Sequence, residues 1–120
     1  MLTLYEYNRC GTCRKAKKWL DVHGIAYQIV PIVEQPPSEE QLRVWAEKSN
    51  LPVQKFFNTS GKKYREEGLS QKTKSMSDEE KLRLLASDGM LIKRPIAVNG
   101  DRVTVGFQPE TYEKTWRAHT

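Results

Sequence analysis

Hydrophobic and polar positions alternate like those of a strand at the start of the chain, and then take up the spacing of a helix. "LTLYEY" (Leu2–Tyr7) alternates apolar with other side chains and is rich in β-favouring residues, which predicts a first strand. From Gly11 onward, apolar residues recur at intervals of three and four, which predicts a helix that ends at Gly24. "AYQIVPI" (Ala26–Ile32) predicts a second strand, so the start of the chain should form a βαβ unit.

Helix-start signals and proline breaks dominate the middle of the chain. The paired prolines of "EQPPS" (Glu34–Ser38) cannot lie inside a regular element. Two Ser-x-x-Gln/Glu patterns then fit capping boxes, each of which predicts the first turn of a helix. Between them, "VQKFFNTSGKKY" (Val53–Tyr64) predicts a short helix that ends in a turn at "TSG". The capping boxes pair Ser38 with Gln41 and Ser77 with Glu80, and their helices should end at Asn50 and near Asp88-Gly89.

The last third of the chain predicts a hairpin and a final helix. "PIAVNGDRVTVGF" (Pro95–Phe107) contains two β-rich runs around Asn99-Gly100. Asn-Gly favours a type I′ turn, because both residues accept a positive φ. Pro109 then suits the first turn of a helix.

The order of predicted elements is β-α-β, several helices, and β-β-α. A βαβ half joined to a ββα half is the arrangement of thioredoxin-like folds, in which four strands form a mixed sheet. The stretch from about residue 36 to about residue 89 is far longer than one connecting helix requires. We therefore expect an α/β protein in which residues 1–120 form a single thioredoxin-like domain with a helical insertion over that stretch.

Composition and charge narrow the classes of protein to which the chain can belong. Its 120 residues carry a formal net charge of +5, with basic and acidic residues interspersed. This mixed charge favours solvated lysine faces over direct nucleic-acid binding. The N-terminus lacks the basic and apolar regions of a signal peptide, and no apolar run reaches the length of a membrane span. We therefore expect a cytoplasmic protein that does not contact membranes, and we expect it to be a monomer.

The only two cysteines, Cys10 and Cys13, lie three positions apart in "NRCGTCRKAK". A zinc site requires four ligands, and neither a second cysteine pair nor histidines at ligand spacing are present. A structural disulfide would close a very short loop in a reducing compartment and gain little. Two buried, inert thiols are a further alternative, but Gly11-Thr12 between strand and helix favours an exposed turn. A redox or nucleophilic pair fits this location best, and the βαβ context strengthens that signal.

The predicted helix assigns different roles to the two thiols. Cys10 should lie at its N-terminus, where unpaired backbone N–H groups and the helix dipole favour an anion. The thiolate is the reactive form of cysteine, and Arg14 nearby should stabilise it, whereas Lys17 and Lys18 are expected on a solvated face. Cys13, one turn inside the helix, is placed to attack a mixed disulfide formed at Cys10. Cys10 is therefore the expected nucleophile and Cys13 the expected resolving thiol.

The segments "YNRCGTCRKAKKWL" and "LLASDGMLIKRPIAV" together resemble the ArsC/Spx-type branch of thioredoxin-fold proteins. This branch contains glutaredoxin-coupled arsenate reductases, Spx-type transcriptional regulators and small arsenate reductase-like proteins, and the resemblance covers essentially the whole chain. It implies that Cys10 is the nucleophile and that Arg94 helps to bind an oxyanion and to stabilise the thiolate. It also implies that Pro95 is the cis-proline that faces the active cysteine. The candidate catalytic residues are thus Cys10, Cys13 and Arg94, and the candidate substrate-binding residues are Gly11, Thr12, Arg14, Asn58 and Pro95.

Two departures from the arsenate reductases modify this prediction. Those enzymes carry three arginines around the cysteine, whereas the chain retains Arg94 and has Asn58 and the Gly106-Phe107 region at the other two positions. They also lack a second cysteine at the position of Cys13, which the Spx-type regulators have.

We therefore predict an arsenate reductase-like thiol–disulfide oxidoreductase that acts weakly on arsenate itself. No motif for a metal, flavin or nucleotide is present, so the expected partners are an external thiol, such as glutathione or thioredoxin, and a disulfide protein substrate. The alternative is an Spx-type redox-sensing regulator that binds the α subunit of RNA polymerase. The chain ends soon after Trp116, without the long basic tail of those regulators, and this favours the enzyme.

Overall fold

Four strands form one mixed sheet in the computed structural model of this chain, which describes residues 1–117. The chain divides into two units. The sheet unit contains Met1–Pro31 and the chain from Arg94 onward, and the helical unit contains Ile32–Lys93. The predicted order, a βαβ half, a helical insertion and a ββα half, is confirmed, and with it the thioredoxin-like fold.

The strands of the sheet unit are β1 (Leu2–Glu6), β2 (Tyr27–Pro31), β3 (Ile96–Asn99) and β4 (Arg102–Val105). Their order in the sheet is β2-β1-β3-β4, with β1 parallel to β2 and antiparallel to β3. The central strand β1 buries every second residue, as the alternation of the sequence predicts. The helical elements of the unit are α1 (Gly11–Val22), α6 (Pro109–Tyr112) and a π-helical turn (Glu113–Arg117).

The core of the sheet unit lies where α1 and the last helix pack on β1 and β3. Apolar side chains at the predicted spacing of three and four on α1 supply one side of it, and α6 with the π-helical turn supplies aromatic rings. Its buried members are Leu2, Leu4, Ala16, Leu20, Ala97, Tyr112 and Trp116. This packing fixes the orientation of α1, and therefore the position of the thiols at its N-terminal end.

The hairpin between β3 and β4 is present, but its turn lies one residue later than predicted. Asn99 pairs with Arg102, so the two-residue loop is Gly100-Asp101 rather than Asn99-Gly100. Gly100 has a φ of +62°, whereas Asn99 does not have a positive φ. A glycine at the first loop position is the pattern of a type II′ turn, and it leaves Asn99 extended in the strand. The prediction of a type I′ turn was therefore wrong.

The helical unit contains both predicted capping boxes, at Ser38 and at Ser77. The first of these helices ends at Asn50 in a left-handed conformation, with a φ of +62°. The helices of this unit are α2 (Glu39–Ser49), α3 (Lys62–Glu66), α4 (Leu69–Lys72) and α5 (Asp78–Ser87), with 3₁₀ turns at Val53–Phe56, Thr73–Ser75 and Gly89–Leu91.

The segment predicted as one short helix over Val53–Tyr64 is broken into separate pieces. Val53–Phe56 form a 3₁₀ turn and the last three residues of the segment belong to α3. Phe57 between them is extended and forms an isolated antiparallel bridge with Ile92. Flanking hydrogen bonds hold the bridge, since Asn58 N–H donates to the Leu91 carbonyl at 2.8 Å. Pairing with a distant segment therefore replaces the local helix.

Candidate active site

Cys10 is the N-cap of α1, and it lies where the sequence predicted it. Its backbone is extended, with φ −95° and ψ 119°, and its N–H donates to the Tyr7 carbonyl at 3.0 Å. Its Sγ accepts the backbone N–H of Cys13, with an N···S distance of 3.3 Å. The side chain is partly exposed and its thiol is free. Cys10 therefore combines access for a substrate with a backbone donor aimed at its sulfur.

Cys13 differs from Cys10 in being completely buried, with a relative exposure of 0%. Burial, as the largest cause, raises the pKa of its thiol from 9.0 to about 12, while a hydrogen bond with the Tyr7 backbone acts in the opposite direction. Contact with Cys10 and the charge of Glu6 raise it further. Cys13 is therefore a neutral thiol at physiological pH, and it is reachable from Cys10 but not from solvent.

The first turn of α1 contains no acidic residue, and its residues other than Cys13 are exposed. Gly11, Thr12 and Arg14 are all exposed, and a Cβ at Gly11 would lie 3.8 Å from an Arg14 guanidinium nitrogen. The first turns of α2 and α5, by contrast, each carry acidic residues that complement the helix dipole. The surface next to Cys10 is therefore cationic.

The segment Arg94-Pro95 precedes β3, and its peptide bond is cis, as the resemblance implies. The Arg94 guanidinium lies over the Tyr7 ring, 4.9 Å from its centroid. Tyr7 is also the residue whose carbonyl accepts the Cys10 N–H, so Arg94 contacts the turn between β1 and α1. Pro95 is buried, and its carbonyl accepts the Gly106 N–H at 2.8 Å.

Asn58 lies in the helical unit, where its carbonyl accepts the Gly61 N–H at 3.0 Å. The structure thus groups seven of the eight candidate residues within the sheet unit: Cys10, Gly11, Thr12, Cys13, Arg14, Arg94 and Pro95. The role of Asn58 in binding a substrate stays a prediction.

An ion pair between the buried Glu6 and the partly exposed Lys17 was missed by the sequence analysis. Glu6 is 5% exposed, and the Lys17 Nζ lies 2.8 Å from its Oε1. Lys17 was expected on a solvated face, but the carboxylate draws its ammonium group to β1. The alternation of Leu2, Leu4 and Glu6 was the available signal, since it places all three side chains on one face of the strand.

Within residues 1–117 the structure shows neither a cluster of metal-ligating side chains nor a membrane-spanning helix. No group of three or more His, Cys, Asp or Glu side chains in this range is arranged to hold a metal ion. No helix in the same range has both the length and the apolar character needed to cross a membrane.

Comparison with known proteins identifies the relatives of this chain. The model of the ArsC family matches residues 5–115. The uncharacterized protein YusI of Bacillus subtilis (strain 168) is 57% identical over 115 residues, which make up 96% of this chain and 98% of that protein. The global transcriptional regulator Spx of Lactiplantibacillus plantarum (strain ATCC BAA-793 / NCIMB 8826 / WCFS1) is 27% identical over 110 residues, or 92% of this chain and 82% of the regulator.

Solved structures agree with this assignment. An ArsC family related protein from Bacteroides fragilis superposes with a TM-score of 0.92 at 48% identity, covering 94% of this chain and 95% of its own. A protein described as a possible arsenate reductase from Streptococcus mutans UA159 superposes with a TM-score of 0.82 at 47% identity, covering 90% and 92%.

Proposed function

We propose that this chain, which belongs to the ArsC family, is a cytoplasmic thiol–disulfide oxidoreductase of the arsenate reductase-like class. The observation that carries the proposal is the pairing of an accessible thiol at the N-cap of α1, Cys10, with a buried thiol one turn away, Cys13. An accessible sulfur under backbone donors suits a nucleophile, and a buried neighbour suits a thiol that reacts only with that sulfur.

The reaction divides into two thiol–disulfide exchanges. The Cys10 thiolate attacks one sulfur of a substrate disulfide, forms a mixed disulfide with it, and releases the other sulfur as a thiolate. The Cys13 thiol gives up its proton to solvent and attacks Cys10 Sγ, which forms the Cys10–Cys13 disulfide and releases the second substrate thiolate. Both released thiolates take up protons from water. Two equivalents of an external thiol, of the glutathione or thioredoxin class, then reduce the protein and become oxidised to a disulfide.

The remaining candidate residues have binding roles in this proposal. Arg14 and Arg94 supply positive charge beside the turn that carries Cys10, and the exposed Gly11 and Thr12 leave its approach open. Such a site holds an anionic group through charge-assisted hydrogen bonds, of which each contributes about 1.5–3 kcal/mol. Asn58, as a neutral donor, would contribute roughly half as much as an arginine.

The redox experiment uses mass spectrometry after brief oxidation with glutathione disulfide. Wild type should lose two hydrogens and remain a monomer, with the disulfide between Cys10 and Cys13. The Cys13→Ser variant should accumulate a glutathione adduct at Cys10, and the Cys10→Ser variant should accumulate none. An adduct that persists at Cys10 in the wild type, with Cys13 left free, would contradict the resolving role.

Arsenate should be a poor substrate of this protein. Two of the three arginine positions of the arsenate reductases are occupied here by Asn58 and by the Gly106-Phe107 region. The lost charge-assisted bonds should weaken transition-state stabilisation by about 3 kcal/mol, or about a hundredfold in rate. A coupled assay that offers arsenate or a glutathione mixed disulfide compares the two reactions directly. Efficient arsenate reduction that depends on Cys10 and Arg94 would contradict this expectation.

The second candidate function is a redox-switched regulator, and the match to Spx over 92% of this chain favours it. In that case the Cys10–Cys13 pair senses oxidation and does not turn over substrate. Capture of the chain on immobilised RNA polymerase α subunit, with the reduced and the oxidised protein side by side, tests this function. Capture in one redox state would support it, and an absence of capture in both states would leave the oxidoreductase as the function.

A further inference from the structure

We propose that Tyr7 is a positioning residue for Arg94: its ring holds the guanidinium beside the turn that carries Cys10, and this placement makes the site prefer disulfides with a negative charge. The inference rests on the proposed function, because it names the class of substrate that Cys10 should attack fastest. The exchange chemistry itself makes no use of the Tyr7 side chain.

Strand register explains why Tyr7 and Arg94 meet. β1 and β3 are antiparallel, and Tyr5 is paired with Ile96. Two residues onward from Tyr5 and two residues back from Ile96, just beyond the ends of both strands, Tyr7 falls opposite Arg94. Side chains at opposite positions of an antiparallel pair have Cβ atoms about 4.5–5.5 Å apart. The central carbon of the Arg94 guanidinium lies 4.9 Å from the centroid of the Tyr7 ring, as this register leads one to expect.

The backbone of Tyr7 is bonded to both cysteines. Its carbonyl accepts the Cys10 N–H at 3.0 Å, and its backbone also forms a hydrogen bond with the Cys13 thiol. These two bonds fix the backbone of Tyr7 against the cysteine pair, and the ring extends from that fixed backbone to Arg94. The position of the guanidinium relative to Cys10 therefore depends on Tyr7.

An aromatic ring is well suited to hold an arginine that binds anions. The arginine side chain has several rotatable bonds, and ordering it only when the substrate arrives would weaken binding. A carboxylate partner would order the side chain, but it would also neutralise the charge and occupy the N–H groups. A ring face attracts the guanidinium without neutralising it. Tyr7 therefore orders Arg94 and keeps the charge that a carboxylate of the substrate would bind.

A packing role alone accounts for Tyr7 less well. Its side chain is half-buried and is not a member of the core of the sheet unit. Tyr112, by contrast, is completely buried within that core. Replacement of Tyr7 should therefore disturb the fold little, and its main effect should be on the residue that rests on its ring.

Three aliphatic disulfides that differ in the charge of their end groups test the preference. They are 3,3′-dithiodipropionate (negative), bis(2-hydroxyethyl) disulfide (neutral) and cystamine (positive). In the C13S background the Cys10 thiolate attacks one sulfur and forms a mixed disulfide, and the other sulfur leaves as a thiolate that takes a proton from water. Mass spectrometry gives the rate at which the adduct forms at Cys10, in C13S alone and with Y7L, Y7F, R94M, Y7L/R94M or R102M added. Each variant is compared with C13S for the same disulfide, so that the intrinsic reactivities of the disulfides cancel.

We expect Y7L to slow the reaction with dithiodipropionate about fivefold, the scale of a partly exposed cation–π contact, and to change the rate with hydroxyethyl disulfide by less than about twofold. Y7F should keep the wild-type preference, because it retains the ring face. R94M should slow the reaction with dithiodipropionate at least as much as Y7L does. In the double variant Y7L/R94M, loss of the ring should have no further effect, because the two residues act through one contact.

R102M is the matched control for loss of a positive charge. The Arg102 guanidinium also lies over a ring, 5.6 Å from the centroid of Trp116. Arg102 pairs with Asn99, at the end of β3 away from Arg94. Five residues of strand span about 16 Å, which exceeds the Debye length of about 10 Å at 0.1 M salt. R102M should therefore leave the rates with all three disulfides unchanged to within about twofold.

The outcomes separate this inference from the function on which it rests. An absence of Cys10 adducts with all three disulfides would overturn both. Adducts that form in Y7L as fast as in C13S with dithiodipropionate would overturn the role of Tyr7 alone. Equal slowing by Y7L with all three disulfides would also overturn that role, because a general disturbance of the fold does not depend on the charge of the substrate.

Two further results would contradict the contact between the ring and the guanidinium. One is an effect of Y7L that persists in full beside R94M, since it would act through another group. The other is a Y7F variant that behaves like Y7L, since it would assign the effect to the hydroxyl group. If Y7L does not fold, Y7M, which also lacks a ring, takes its place in every comparison.

Discussion

Burial of Cys13 should make the reduced protein lose stability as the pH rises above 9. The folded protein raises the pKa of this thiol from 9.0 to about 12, chiefly because the side chain is fully buried, whereas the unfolded chain exposes it to water. At pH values between these two pKa values, the folded state binds more protons than the unfolded state. The stabilising contribution is therefore complete below pH 9 and is lost progressively as the pH rises towards 12, by up to about 1.4 kcal/mol per pH unit.

From about pH 8 to about pH 10.5, the expected loss in free energy of unfolding is about 2 kcal/mol. For a chain of this length it corresponds to roughly 8 °C in Tm. Cys13→Ala removes the titrating thiol and leaves the other alkaline groups, such as Tyr27 and Tyr112, in both proteins. Denaturant unfolding of both proteins in a phosphine reductant, repeated across this range, gives two stability curves whose difference isolates Cys13.

The slopes of the two curves of unfolding free energy against pH decide the result. Their absolute values do not, because Cys13→Ala also creates a small cavity that lowers the stability of the variant. Wild type should fall more steeply than Cys13→Ala above pH 9, and Cys10→Ala should keep most of the wild-type slope because burial is the largest cause of the shift. Curves of wild type and Cys13→Ala that remain parallel would refute the reasoning. They would mean that the thiol titrates alike in the folded and unfolded states.

Two further substitutions test the packing of each unit. A Cβ at Gly89 would lie 2.2 Å from the backbone oxygen of Ile32, so Gly89→Ala should lower the free energy of unfolding in denaturant by about 3 kcal/mol. Gly68→Ala is the control, because its φ of +63° is strained but the surrounding space is open, and it should lower the same quantity by about 1 kcal/mol. Equal losses in the two variants would contradict the predicted clash at Gly89. In the sheet unit, the Trp116 indole N–H donates to the Thr104 hydroxyl at 3.1 Å, so Thr104→Val should lower the free energy of unfolding by about 2 kcal/mol. Thr104→Ser keeps the hydroxyl and should retain most of the stability, so equal losses in the two variants would contradict a stabilising role of this hydrogen bond.

Local signals explain what the sequence predicted correctly. Capping boxes, proline positions and apolar spacing involve residues within one turn of each other, and the helices that they predict begin at Ser38 and Ser77 as expected. The errors involve partners that are distant in the chain. Phe57 left its predicted helix to pair with Ile92, and strand register moved the hairpin turn to Gly100.

The same distinction applies to the candidate site. Cys10 and Cys13 were recognisable because the spacing itself carries the chemistry, together with the strand before it and the helix after it. Strand alternation could place Glu6 on the buried face, but it could not show that Lys17 would reach across to it. Helical spacing placed Cys13 one turn inside α1, whereas its complete burial and the size of its pKa shift depend on the packed core.

The N-cap bond of α1 ties the oxidation state of Cys10 to the order of the helix that carries it. The sulfur that accepts the Cys13 N–H is the sulfur that reacts, so the helix and the substrate compete for the same lone pairs. An anionic acceptor forms a stronger bond than a neutral one, and a side-chain cap of this kind stabilises a helix by about 1 kcal/mol. The thiolate form should hold the first turn of α1 most tightly, and each disulfide form should loosen it. The rate of hydrogen exchange at the Cys13 amide would then report the oxidation state of Cys10 without any label on the thiols.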